Sequence, residues 1–409
     1  MRARLPRAVA ILIMATLLAS LPGLHACGGG ESSKTSVVKV GFIADFTGIV
    51  SEASTDMANG VADWFRMVNQ DDPIEGVTLD FITYDTKFDF GRVPAAFLWL
   101  KGQGAVLQLV IYQVWAEMLM GRYEEDKIPC FATGCTDITL ESEWIFHEVL
   151  PTEWEAEVIM EWIWGQWDYA GMGRPPVVGF VCMSATPVSE SITRIYRQME
   201  ADHPEKFSFK VQSAPMTNTA WAQEIGHLKD CDYIVSGLSG AGLASFLKQS
   251  RAMGYQGKFM GLPYSFLSSW DLVKSAVAPD IIDEALSSYP WILWTDTQCP
   301  IVAQADLNLS RFGREGRALN YLSGQSMGMI FVDAIRRAVE AVGAGNVDGS
   351  AIRDALTNTD ITMAGWGEPL KFRQGDQICG RMTRICEYQV AKEDWFAITD
   401  WILPPEFNR

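Results

Sequence analysis

The chain has 409 residues, 33 Lys+Arg against 50 Asp+Glu, a net charge of −17 at pH 7, and four histidines. So acidic a chain, with no basic cluster, cannot neutralise nucleic-acid phosphates or hold anionic headgroups by charge. Its length exceeds what one simple core needs and points to two domains or lobes.

The first residues read as a targeting segment. Arg2, Arg4 and Arg7 precede an apolar run, Ala8 to Leu21, and Leu24-His25-Ala26-Cys27 closes it. Residues 1–26 thus form a secretory signal ending in a lipobox, with Cys27 the site of lipid attachment. Residues 27–36, rich in Gly and Ser, form a flexible tether. Losing the three signal arginines takes the net charge from −17 to −20. No later stretch is long and apolar enough to span a bilayer. The expectation is an exported lipoprotein, periplasmic or at the cell surface, anchored only at Cys27.

Beyond the tether, Val37 to Phe46 reads as a buried strand, and Met57, Val61, Trp64, Phe65 and Val68 mark one face of the helix that follows. Val77 to Tyr84 is a strand, and Phe90, Val93, Phe97 and Leu100 mark a second helix. Leu107 to Ile111, a helix through Trp115, Leu119 and Tyr123, and the strand Ile128 to Ala132 complete a βαβαβαβ order. That order makes a doubly wound parallel sheet. After Pro151 the pattern restarts: strands at 177–182, 207–212, 233–236 and 259–261 alternate with helices at 189–201, 221–228 and 242–254. Residues 285–294 read as a crossover back to the first lobe, followed by helices at 320–342 and 350–358 and strands near 370–372 and 383–390. The fold class is α/β, two similar lobes joined by several chain crossings. Lobe 1 is residues 37–152 plus about 290–365, and lobe 2 is 153–289 plus about 366–409. Two lobes joined by several crossings enclose a cleft that closes on a ligand.

Seven cysteines remain besides Cys27. Cys379 and Cys386 flank Gly380 to Ile385 in what reads as a hairpin and are suspected to pair across it. The histidines lack a ligand-spaced partner, so no metal site or cofactor is expected. Gly324-Gln325-Ser326-Met327-Gly328 matches the GxSxG nucleophile pattern, but it lies in a helical stretch and no histidine follows it, which argues against a hydrolase.

Several stretches, taken in order, carry a resemblance: Val38 to Gly48 with Asn59-Gly60, Tyr84-Asp85-Thr86, Tyr123 to Asp137, Asp232 to Gly261, and Arg336 to Ala344. Together the chain resembles the type I periplasmic solute-binding proteins of ABC transporters, in the leucine/isoleucine/valine-binding group. The resemblance implies two Rossmann-like lobes joined by a three-crossing hinge, and a binding protein rather than an enzyme, a monomer that holds a small molecule between the lobes and delivers it to a membrane permease. A ligand-sensing partner of a membrane receptor would use the same fold.

Within that resemblance, ligand contacts map to Thr47, to Tyr112, Gln113 and Trp115 in the loop after the third strand, and to Thr136 and Asp137. In the second lobe they map to Thr186, Ser239 and Tyr264. The chain departs from the amino-acid readers where it matters. Gln113, Val114 and Trp115 replace a run of serines, and Leu262-Pro263-Tyr264 stands where a glutamate is usual. A zwitterion in a closed cleft needs both charges compensated. The departures therefore favour an apolar or aromatic solute, for which Phe266 and Trp270 are further candidate contacts. Packing of these aromatics in the core is the alternative.

Overall fold

The computed structural model describes residues 35–215, 217–263, 266–373 and 375–405. The signal, lipobox and tether expected at residues 1–34, with Cys27, lie outside them. So does Tyr264.

Two sheets organise the chain. The first contains β1 (Ser36–Ala44), β2 (Val77–Asp85), β3 (Ala105–Val110), β4 (Cys130–Ala132) and β5 (Ile145–Val149). The second begins with β6 (Val177–Met183), β7 (Ser208–Ala214), β8 (Tyr233–Gly237), β9 (Lys258–Gly261) and β10 (Leu286–Ser288). A two-stranded ribbon, β11 (Asp360–Ile361) and β12 (Leu370–Lys371), precedes β13 (Ile378–Gly380), β14 (Ile385–Gln389) and β15 (Asp394–Ala397). Strand order is β13-β5-β4-β3-β1-β2 in the first sheet and β15-β14-β10-β9-β8-β6-β7 in the second. The first sheet is parallel throughout, whereas β14 and β15 join the second antiparallel. Parallel strands covered on both faces read as continuous apolar runs, and β1 buries its last five residues, Gly41 among them, without interruption.

Helices cover both faces of each sheet. On the first sheet, Ser51–Asp71 and Leu319–Val342 cover one face, and Val93–Gly102 with Gln113–Asp126 the other. The second sheet has Thr152–Gln166 and Pro187–Asp202 on one face and Gly240–Ala252 on the other. The GxSxG stretch is the middle of the Leu319–Val342 helix. Its glycines permit a close crossing, since a Cβ on Gly324 would stand 2.3 Å from the Met57 carbonyl oxygen, and one on Gly60 would stand 2.4 Å from that of Tyr321. Gln325 Nε2 donates to the Gly60 carbonyl at 2.6 Å. The Ser326 hydroxyl donates back to Leu322 O at 3.3 Å, so nothing there resembles a nucleophile.

Two expectations are corrected. Cys379 lies on β13 in the first sheet and Cys386 on β14 in the second, so the two strands do not form a hairpin. Cys130, Cys135, Cys182, Cys231, Cys299, Cys379 and Cys386 are all buried free thiols, and the suspected Cys379–Cys386 bond is absent. Because β13 pairs with β5, the chain returns to the second lobe between Gly380 and Ile385, not near residue 366. Three short strand residues with one apolar face gave no sign in sequence of which sheet they extend.

The Gly60–Gly324 contact has a measurable consequence. Gly324→Ala forces a methyl group against backbone and is expected to destabilise the fold by about 1–3 kcal/mol. Chemical denaturation should show a lower midpoint at unchanged slope.

Candidate ligand-binding cleft

Each sheet reverses its strand order beside its first strand, at β2-β1-β3 and at β7-β6-β8. In an open parallel sheet the loops beyond such a reversal part and leave a crevice at the strand carboxyl ends. Here both crevices face one cavity with about 1180 Å³ of empty space, part of it open to solvent. The first lobe contributes Ile49 and Val50 after β1, Ile111, Tyr112 and Gln113 after β3, and Thr133 after β4. The second lobe contributes Met183 at the end of β6, Thr186 and Ser189 after it, Ser239 after β8, and Leu262 and Pro263 after β9. Thr152, Tyr289 and Trp291 line it from chain crossings, and Leu319, Asn320 and Ser323 from the start of the long helix.

Local hydrogen bonds fix the first-lobe loops. Asp45 accepts from Gly48 N at 2.6 Å and Val50 N at 3.0 Å, and a Cβ on Gly48 would strike the Asp45 carboxylate at 2.5 Å. Asp85 accepts from Phe46 N at 2.9 Å, Thr47 Oγ1 at 2.9 Å and Lys87 N at 3.0 Å. Burial opposes the charge on Asp85, but those donors outweigh it and hold its pKa below the ordinary value.

Among the described residues lining the cavity there is no Asp, Glu, Lys, Arg or His. Most polar groups there are already engaged. Thr133 Oγ1 donates to Ile111 O at 2.9 Å. Thr186 caps its helix by accepting from Ser189 N at 3.3 Å. Asn320 Nδ2 donates across the lobes to Ser268 O at 3.1 Å. Thr152 differs: its hydroxyl is buried at the wall without a hydrogen-bond partner.

The sequence-expected contacts divide. Tyr112, Gln113, Thr186 and Ser239 line the cavity. Trp115 does not, because it is fully buried behind the wall, its ring 5.5 Å from Phe88 and 6.1 Å from Phe90. Thr47 is tied to Asp85, outside the lining. Thr136 turns its hydroxyl to Glu117 Oε1 at 2.6 Å, and Asp137 beside it is exposed. Phe266 and Trp270 pack in the second lobe, with Trp270 4.6 Å from Trp395 and 4.7 Å from Tyr388. Reading the chain left out Ile49, Met57, Phe180, Met183, Ile192, Thr152, Trp291 and Ser323. The reversal of strand order is the signal that would have found the loop residues among them.

Under the cavity the three crossings meet, at Leu150-Pro151, at 289–299 and at 381–384. Glu148 accepts from Trp291 Nε1 at 2.6 Å, and Glu155 from Ser288 Oγ at 2.8 Å. Burial pushes the pKa of Glu148 up to about 8, although the Trp291 and Ser323 hydrogen bonds work against the shift. Arg384, itself buried, donates to Asp296 Oδ1 at 2.9 Å and to the Trp291 carbonyl at 3.1 Å. Asp296→Ala would leave that guanidinium buried and unpaired. Urea unfolding is expected to show a loss of about 3–5 kcal/mol.

A family model described as periplasmic binding protein matches residues 37–391. No curated protein matches. Among solved structures, the chain is similar to a branched-chain amino acid ABC transporter protein from Thermus thermophilus with bound valine. The TM-score is 0.78 at 16% identity, covering 91% of this chain and 98% of that one. It is similar also to a fatty acid ABC transporter substrate-binding protein from Thermomonospora curvata, with TM-score 0.75, 14% identity and coverage of 90% and 92%. A third is a solute-binding protein of an R. palustris ABC transporter in complex with 4-hydroxybenzoate, with TM-score 0.70, 15% identity and coverage of 90% and 97%. At these identities the structures speak for the fold, whereas the family model spans most of the chain. The chain thus belongs to the type I periplasmic binding proteins.

Proposed function

We propose that this protein captures a predominantly apolar small solute, without paired opposite charges, and passes it to the permease of an ABC importer. The observation that carries the reading is the absence of any charged side chain among the described residues lining the cavity. An unpaired charge buried in a closing cleft costs several kcal/mol. A zwitterion would bring two.

The cavity wall includes the first residues of four helices, Gln113, Thr152, Leu319 and, as the residue before the helix, Ser239. Such ends carry partial positive charge. They favour one carboxylate and offer an ammonium group nothing. The names of two structural neighbours, one a fatty acid transporter's protein and one bound to 4-hydroxybenzoate, agree with a monocarboxylate on an apolar body. Tyr112, Gln113, Thr186, Ser239 and Thr152 are the proposed contacts. Cys27 is the proposed lipid anchor, and Cys27→Ser is expected to move the protein from the membrane to the soluble fraction.

A thermal-shift panel tests the ligand class. Octanoate, benzoate or 4-hydroxybenzoate is expected to raise the melting temperature, with about 2.7 kcal/mol of stabilisation at a hundredfold excess over Kd. Leucine and valine are expected to have no effect, and micromolar binding of either would overturn the reading. Thr152→Val removes a hydroxyl with no partner, so stability should hold within about 0.5 kcal/mol while affinity for the active ligand falls by about 1 kcal/mol. Unchanged affinity would remove Thr152 from the site.

A further inference from the structure

The turn that follows β2 holds its backbone in an unusual state. Lys87 and Phe88 have φ of +58° and +54°. Among the described residues no other two adjacent non-glycine residues are both left-handed. Asp89 N donates to Thr86 O at 3.0 Å and closes the turn around them. Turns with both central residues left-handed are built mostly from Gly, Asn and Asp, and a bulky side chain there is strained. The flanks keep it so. Thr86 donates to the Ala44 carbonyl both from its N–H, at 2.9 Å, and from its Oγ1, at 2.8 Å. Lys87 N donates to Asp85 Oδ1 at 3.0 Å, and Gly91 N to Asp89 Oδ1 at 2.8 Å. Strain held in place by its surroundings concentrates where a side chain is used.

The side chain presented by that turn is a ring. Phe88 lines the cavity, and its centroid lies 5.5 Å from that of Tyr112, which lines the cavity too, with 44° between the ring planes. Trp115, fully buried behind them, stands 5.5 Å from Phe88 and 6.0 Å from Tyr112. Phe90 stands 5.9 Å and 6.1 Å from the same two rings. The four rings therefore brace one another. A second pair, Tyr289 and Trp291, with centroids 5.3 Å apart, lines the same cavity from the second crossing.

We propose that Phe88 and Tyr112 form an aromatic platform by which this protein selects an aromatic solute over a saturated one of the same size. Such selection presupposes the apolar solute proposed for the cavity and narrows it to one class. Apolar area alone does not tell the two apart, since a saturated ring covers as much wall as an aromatic one. A π-system does. Its negative face and positive edge favour tilted and edge-to-face neighbours, beyond what area contributes. The two platform rings, fixed by the turn and by Trp115, offer those geometries without being reordered when the solute enters.

Titration calorimetry of the full-length protein with benzoate and with cyclohexanecarboxylate, its saturated counterpart, tests the platform. Benzoate is expected to bind about 2- to 12-fold more tightly. Phe88→Leu keeps apolar bulk at the same backbone position and is expected to abolish that ratio, chiefly by weakening benzoate. Tyr112→Leu, outside the strained turn, is expected to reduce it. Circular dichroism checks that each variant is folded. No binding of benzoate, equal binding of the two acids by the parent protein, or a ratio that survives in both folded variants would overturn the proposal. Octanoate bound without any preference for benzoate over its saturated counterpart would do so while leaving the apolar reading in place. Leucine bound instead of all three acids would remove both.

Discussion

The cleft hangs on the place where the chain passes three times between the lobes, and there charged groups lie out of reach of water. Arg384 belongs to the last crossing, and its two partners, Asp296 and the Trp291 carbonyl, belong to the second. Trp291 in turn donates to Glu148 at the end of β5, just before the first crossing. One chain of hydrogen bonds thus ties all three crossings together. Breaking any member leaves a buried polar group unmatched, which costs far more than the net gain from forming the bond. Such a knot restrains the crossings while leaving the lobes on either side to move about it. Since Trp291 also lines the cavity, the hinge forms part of the wall that a ligand meets.

From that hinge the interior of the cleft follows from topology. Parallel strands direct their carboxyl ends, and the helix amino ends that follow them, to the same edge. Two lobes facing each other therefore crowd their helix starts around one space. The cavity gains a mildly positive field without any cationic side chain among the described residues that line it. Its walls, from Ile49 and Val50 to Phe180, Met183 and Leu262, supply apolar surface. On the proposed reading, recognition there rests on removing apolar area from water and on a few dipoles.

Much of the architecture was legible in the sequence because the buried strands are near-continuous apolar runs and the helices keep one apolar face. The alternation of the two made both lobes readable down to β9, whereas β10 lies in a stretch that reads as a crossover. What failed was short or shared. β13 has three residues, and its partner β5 lies more than two hundred positions earlier, so its sheet could not be read locally. The nearness of Cys379 and Cys386 in sequence suggested a hairpin that this long-range pairing prevents. In the site, loops were found but side-chain directions were not. Tyr112 and Trp115 both pack 5.5 Å from Phe88, yet Tyr112, extended just before the helix, lines the cavity and Trp115, inside the first turn, is fully buried. Thr136 carries the family pattern, but its hydroxyl is spent on Glu117, which sequence spacing gave no reason to expect.

The proposed reading also fixes what closing can gain. With a zwitterionic solute, ligand charges and wall charges attract, and closure gains from both. With an apolar solute the gain comes from area alone, and burying about 200 Å² of an aromatic ligand is worth about 5 kcal/mol. No charged side chain stands among the described residues lining the cavity. On that reading the grip depends on how well the apolar body of the solute fits these walls, because there is no wall charge among them to reward any other feature of it.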